Sequence, residues 1–143
     1  MNLETEQQDT MSFHDIYEMQ RTLNTRTVGR PVDDSMPEED RLQWMLNYNL
    51  AQQQEQAELV DSLDWKWWKH GENDWKNAHI ELIDELHFWM SKCQVAGLSS
   101  EDIIALYKKK NALNWKRQNE GYKEGTYEKV IDGKEDNEAL HES

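Results

Sequence analysis

Apolar residues recur along this chain at steps of three and four, and almost nowhere in strict alternation. That spacing predicts helices rather than strands. Ser12 caps a first helix that runs to about residue 24, with Phe13, Ile16, Tyr17, Met19 and Leu23 along it. Residues 25–35 contain a Gly, a Pro and two Asp and read as a loop. Ser35, Pro37, Glu38 and Glu39 then open a second helix that reaches about residue 63, a rod of roughly 40 Å. Leu42, Met45, Leu46, Leu50, Ala57, Val60 and Leu63 follow helical spacing along it. An aromatic link over 65–71 leads to the capping residue Asp74, and a third helix covers about 75–95 until Gly97 stops it. Ser99 with Asp102 has the pattern of a capping box for a fourth helix, ending before Gly121. Residues 1–10 are polar and expected to be flexible. The chain from Gly125 onward is acidic and poor in apolar residues, and reads as an extended tail that orders only against something else. The expected fold is therefore all-α, a compact bundle of about four main helices over 11–127, with an acidic tail over 128–143.

Within this pattern two segments echo each other. Glu55 and Glu58 on the second helix, with Asp61 a further step along, and Glu81 and Asp84 on the third, are acidic residues three apart in otherwise apolar surroundings. A step of three returns to nearly the same helical face, so two such helices side by side bring four carboxylates together. Ala57, Leu59 and Val60 flank the first pair, and Ile80, Leu82, Ile83 and Leu86 the second, so both helices are expected to be largely buried. Buried like charges repel unless a cation sits among them, and an all-oxygen donor set favours Mg²⁺ over zinc. Asp61 mirrors Asp84 but remains open between ligand, supporting residue and salt-bridge partner. His87, in a helix between Leu86 and Phe88, is expected to be a hydrogen-bonded core histidine rather than a general base.

Composition narrows the partners. With 29 acidic against 16 basic residues and a formal net charge of −13, the chain argues against nucleic-acid or anionic-membrane binding. Cys93 is the only cysteine, which removes a disulfide framework and a cysteine zinc cluster. No apolar run approaches a membrane span and the polar N-terminus lacks a signal-peptide core, so a cytoplasmic location is expected. Against the acidic background, residues 108–123 carry six basic residues and one acid. Asn111, Asn114, Gln118 and Tyr122 lie among them, a combination suited to phosphate oxygens as well as to a solvated helical face. Trp65, Trp67 and Trp68, interleaved with Lys66 and Lys69, offer flat rings for a base or sugar, or plugs for a bundle or dimer interface.

Taken in order, these motifs resemble the all-α dimeric dUTPases, which belong with the MazG-like nucleoside triphosphate pyrophosphohydrolases and the phage dCTPases. The resemblance rests on Met19-Gln20 and Leu23-Asn24, and on Glu55, Glu58 and Asp61-Ser62. It continues through the tryptophan link, Asp74, Asn77, Glu81, Asp84 and His87-Phe88, to Lys110-Asn111, Leu113-Asn114, Arg117-Gln118-Asn119, Gly121-Tyr122-Lys123, Gly125 and Tyr127. Gly133 to Asn137 also resembles the family. Longer members carry an insertion after the second acidic motif. Here the fourth helix follows His87-Phe88 within about a dozen residues, so this looks like a compact version.

The resemblance implies Mg²⁺-dependent hydrolysis of dUTP to dUMP and pyrophosphate by a homodimer. It assigns Glu55, Glu58, Glu81 and Asp84 to the metal, with Glu55 or Glu58 also orienting or deprotonating the attacking water. Gln20 and Asn24 would read the base, one of Trp67 and Trp68 would pack on the nucleoside, and Phe88 would crowd a ribose 2′-hydroxyl. Lys110, Asn111, Asn114, Arg117, Tyr122 and Lys123 would contact phosphates. A dCTPase, or an enzyme taking both nucleotides, is the nearest alternative, because an amide side chain can flip to suit uracil or cytosine. A helical interaction module without catalysis is the more distant one.

Overall fold

The computed structural model describes residues 10–121, 125, 127–131 and 134–142. It contains four long helices: α1 (Phe13–Val28), α2 (Glu38–Asp61), α3 (Trp75–Val95) and α4 (Ser100–Asn119). The chain divides between Ser99 and Ser100 into two compact units. None of its helices is long and apolar enough to cross a membrane, among the described residues.

In the first unit α3 packs against both α1 and α2. Asp15 opens α1 by accepting hydrogen bonds from the backbone N–H (2.9 Å) and hydroxyl (3.1 Å) of Ser12. The helix runs four residues past its expected end. Thr25 and Thr27 turn their hydroxyls back onto the carbonyls of Arg21 and Leu23, and the helix continues to Gly29, whose φ of +90° forms the left-handed stop. Glu38, Glu39 and Asp40 occupy the first turn of α2, where the helix dipole favours negative charge.

The turn between α2 and α3 is tied by the backbone. The Asp74 N–H donates to the Ser62 carbonyl at 2.7 Å, and Asp64 accepts from the Gly71 N–H at 3.0 Å. Glu55 lies seven residues before Ser62 and Glu81 seven after Asp74. On two antiparallel helices this places both about 10 Å from the tie, level with each other.

The core of this unit is Val32, Met36, Tyr48 and Val95, with Val28, Trp44, Met45 and Phe88 packed on it. Most of the aliphatic residues of α2 point elsewhere. Leu42 (60% exposed), Leu46, Leu50, Ala57 and Val60 fall within an arc of about 80° on the outer face. Ile80, Leu82 and Ile83 are also half-exposed on α3. The expectation that the acidic motifs sit in largely buried helices is thus corrected. Both helices carry apolar residues on a second face, which stays exposed among the described residues.

The second unit holds α4 and the described part of the C-terminal segment. β1 (Val130–Ile131) pairs antiparallel with β2 (Lys134–Glu135), and a 3₁₀ helix (Asp136–His141) packs on α4. Arg117 grips Asp136 with both Nε and Nη2 at 2.8 Å, and the Tyr127 hydroxyl donates to the same carboxylate at 2.7 Å. Lys109 donates to the carbonyls of Leu140 and Glu142. Where the sequence reads an extended tail, the chain folds back onto its own basic helix. Arg117 beside Asp136 holds that carboxyl well below the usual range.

Candidate active site

The level register of α2 and α3 brings the acidic motifs together. Glu55, Glu81 and Asp84 each offer one carboxylate oxygen within 4.8 Å of the others. Glu58, one turn beyond Glu55, presses on the same carboxyl. Glu81 is 9% exposed, and its Oε2, like Oε2 of Glu55, is sealed from solvent without a donor. Gln52 Oε1 and Glu85 Oε2, one turn away on either helix, are orphaned in the same way. The other edge of Glu81 is held: Asn77 Nδ2 donates to Oε1 at 3.4 Å and to Ser62 Oγ at 2.6 Å.

The crowding has a measurable signature. The Glu81 carboxylate against Glu55, then burial, then Glu58, push the Glu55 carboxyl up from 4.5 to about 8. Three converging carboxylates, two of which hold a sealed oxygen without a donor, fit a hard divalent cation. Asp61 does not join them. Its Oδ1 accepts from Trp65 Nε1 at 3.1 Å, and it borders a separate hollow with Lys66, Lys69 and His70.

A cavity of about 580 Å³ opens between α1, α2 and α3. Glu55 and Asp84 line it, and so do Gln20 and Asn24 of α1. Trp44, Tyr48 and Phe88 form an aromatic wall, with the Tyr48 and Phe88 rings 6.4 Å apart. Behind the two amides lies a buried polar network. Gln20 Nε2 donates to Asn24 Oδ1 (2.9 Å) and Ser91 Oγ (3.3 Å). Asn24 Nδ2 donates to Ser91 Oγ (3.0 Å) and Gln94 Oε1 (3.3 Å). Ser91 Oγ donates to the His87 carbonyl at 2.7 Å, and Gln94 Nε2 to the Tyr17 carbonyl at 2.9 Å. Ser91 lies seven residues beyond Asp84, so the amides sit about 10 Å along α3 from the carboxylates.

Gln20, Asn24, Phe88, Glu55 and Asp84 therefore share one cavity, with Glu58 and Glu81 against Glu55. Trp67 and Trp68 are not part of its lining. Trp67 is 90% exposed, and its ring meets Trp68 edge-on at 5.3 Å. Asn111, Asn114 and Arg117 line a hollow of about 230 Å³ on α4 in the second unit, where Lys110 donates to Asn137 Oδ1. Tyr122 and Lys123 lie outside the described residues. His87 is a correction: it is exposed and lines the cavity rather than filling the core, because its position on α3 falls on the cavity side. Trp44 and Tyr48 are wall residues that sequence reasoning missed. Their signal is a spacing of four and then seven to Glu55, which keeps all three on one face of α2.

A family model described as dUTPase matches residues 12–94 and 92–122. The chain belongs to this dUTPase family. Among curated proteins, this dUTPase-family chain is 32% identical over 106 residues to a dCTP pyrophosphatase of Enterobacteria phage LZ5. That match covers 65% of the chain and 59% of the phage protein, so the chain spans about three fifths of that relative's length. No solved structure matches.

Proposed function

We propose that this chain is a cytoplasmic pyrophosphohydrolase of 2′-deoxypyrimidine nucleoside triphosphates, converting dUTP to dUMP and pyrophosphate. The observation that carries the reading is one cavity with an amide pair and aromatic wall at one end and crowded carboxylates at the other. The water oxygen joins phosphorus on one side of the α–β bridge, and the bridging oxygen leaves with the electron pair of the broken bond. Glu55 or Glu58 takes the proton of that water. Gln20 and Asn24 face the base edge, Phe88 packs on the deoxyribose, and Trp67 or Trp68 covers the nucleoside. Lys110, Asn111, Asn114, Arg117, Tyr122 and Lys123 attract the phosphates. Glu55, Glu58, Glu81 and Asp84 would hold Mg²⁺, which when bound offsets phosphate charge and acidifies its water. The catalytic domain spans 11–127.

The phage relative's name favours a second reading, dCTP as the substrate. Pyrophosphate release from dUTP, dCTP, dTTP and UTP, with Mg²⁺ and with chelator, tests both. The expected outcome is Mg²⁺-dependent turnover of dUTP with UTP excluded. Faster turnover of dCTP replaces the first reading by the second, and no hydrolysis of any of the four returns the chain to an interaction module.

The active form is proposed to be a homodimer. Each Leu of the outer stripe is worth about 1.5–3 kcal/mol when fully buried, and Leu42, Leu46 and Leu50 stand exposed on one side of α2. Sedimentation at micromolar concentration is expected to give twice the 17.1 kDa chain mass. A monomer overturns this assembly.

A further inference from the structure

The base-facing amides of Gln20 and Asn24 are not free to turn, and the reason lies behind them. Two backbone carbonyls, which can only accept, set the direction of the network. The Tyr17 carbonyl takes the Gln94 amide N–H, so Gln94 presents Oε1 toward Asn24. The His87 carbonyl takes the Ser91 hydroxyl proton, so Ser91 presents lone pairs to both amides. The four side-chain N–H bonds of Gln20 and Asn24 then meet four protein acceptor positions: two on Ser91 Oγ, one on Gln94 Oε1 and one on Asn24 Oδ1. Ser91 is 0% exposed and Gln94 1%, so no water can substitute for a lost partner cheaply. What the pair has left for a ligand is acceptor capacity, on Gln20 Oε1 and the second lone pair of Asn24 Oδ1.

We infer that Ser91 and Gln94 are positioning residues for base selection: they lock Gln20 and Asn24 as hydrogen-bond acceptors, so the cavity takes one pyrimidine edge and refuses the other. The inference rests on the proposed nucleotide reading of the cavity. Uracil offers a donor at N3 and an acceptor at C4, whereas cytosine offers the reverse. An amide free to flip serves both bases. A locked acceptor pair rewards the donor it faces and leaves an opposed acceptor without a hydrogen bond, a mismatch that polar sites reject strongly. Removing the Ser91 hydroxyl deprives one N–H of Gln20 and one of Asn24 of their acceptor. Those amides then gain by donating to the base, and the refused nucleotide becomes acceptable.

The test compares kcat/KM for dUTP and dCTP in the full chain, its Ser91→Ala variant and its Gln94→Met variant, with helicity and thermal midpoint as folding controls. Inhibition by dUMP against dCMP reads the base preference without turnover. The unaltered protein is expected to discriminate between the two triphosphates by about 100-fold or more. At least one folded variant is expected to lower that ratio by about tenfold, mainly through KM for the refused base, with the same compression in the monophosphate ratio. A merely structural role would lower both substrates alike. Equal use of dUTP and dCTP by the unaltered protein overturns the lock, as does an unmoved ratio in folded variants. Hydrolysis of neither nucleotide and binding of neither monophosphate is a different result, which removes the nucleotide reading itself. Should Ser91→Ala fail to fold, the Gln94→Met ratio and the monophosphate inhibition of the unaltered protein decide alone.

Discussion

The two ends of the cavity handle buried polarity in opposite ways. At the amide end every side-chain N–H of Gln20 and Asn24 has an acceptor, down to two backbone carbonyls. At the carboxylate end Glu55, Glu81, Gln52 and Glu85 each hold a sealed oxygen with no donor. A satisfied buried network is rigid and selects by shape and polarity, whereas an unsatisfied one is unstable until something charged arrives. The folded chain thus has one end complete in itself and one end complementary to a cation.

The largest expected effect lies at the incomplete end. Glu58→Gln and Glu81→Gln should each lower turnover by about a thousandfold or more, while far-ultraviolet circular dichroism stays unchanged. Near-normal activity in either would break the assignment of that end. At the complete end, Asn24→Ala leaves Ser91 and Gln94 short of a partner and should cost about 1–3 kcal/mol, equally with and without Mg²⁺. Chemical denaturation under both conditions checks it, and a metal-dependent loss would show that the two ends are not independent.

A smaller effect follows from the proton on Glu55. In the cation-free protein that carboxyl keeps its proton up to about pH 8, against 4.5 in the unfolded chain. Between those values the folded state binds more protons, so stability falls as pH rises through the window. In chelator, the thermal midpoint relative to that of Glu55→Gln should drop by roughly 5 °C from pH 5 to pH 8. Millimolar Mg²⁺ should remove the drop. The smallest effect belongs to Asp61→Asn, which touches an exposed tryptophan contact and should change turnover by less than about threefold. A loss as large as that of Glu58→Gln would bring Asp61 back among the ligands.

Much of this is legible in the sequence. Helix periodicity, the Asp74 cap and the stop at Gly97 carry α3, and the three-residue acid steps carry the meeting of Glu55, Glu81 and Asp84. Periodicity could not say which apolar face of α2 is inward, because Leu42, Leu46 and Leu50 obey the same repeat as Trp44 and Tyr48. Ser91 and Gln94 were illegible for another reason. A serine and a glutamine in a helix have no local signal, and their role depends on partners about seventy residues away. The fold-back of the C-terminal segment was hidden by its charge: acidic residues that read as solvated include Asp136, which is clasped by Arg117.

The tie between Ser62 and Asp74 makes the chain unevenly tolerant of changes in length. Residues added between the tied ends, around Trp67 or His70, enlarge an exposed loop at small entropic cost and leave both arms in place. One residue inserted between Glu55 and Ser62, or between Asp74 and Glu81, swings a carboxylate about 100° around its helix and slides it about 1.5 Å. Among descendants of this sequence, loop length is free to drift, while the two seven-residue arms must keep their length, since even matched insertions would turn both carboxylates off their shared face.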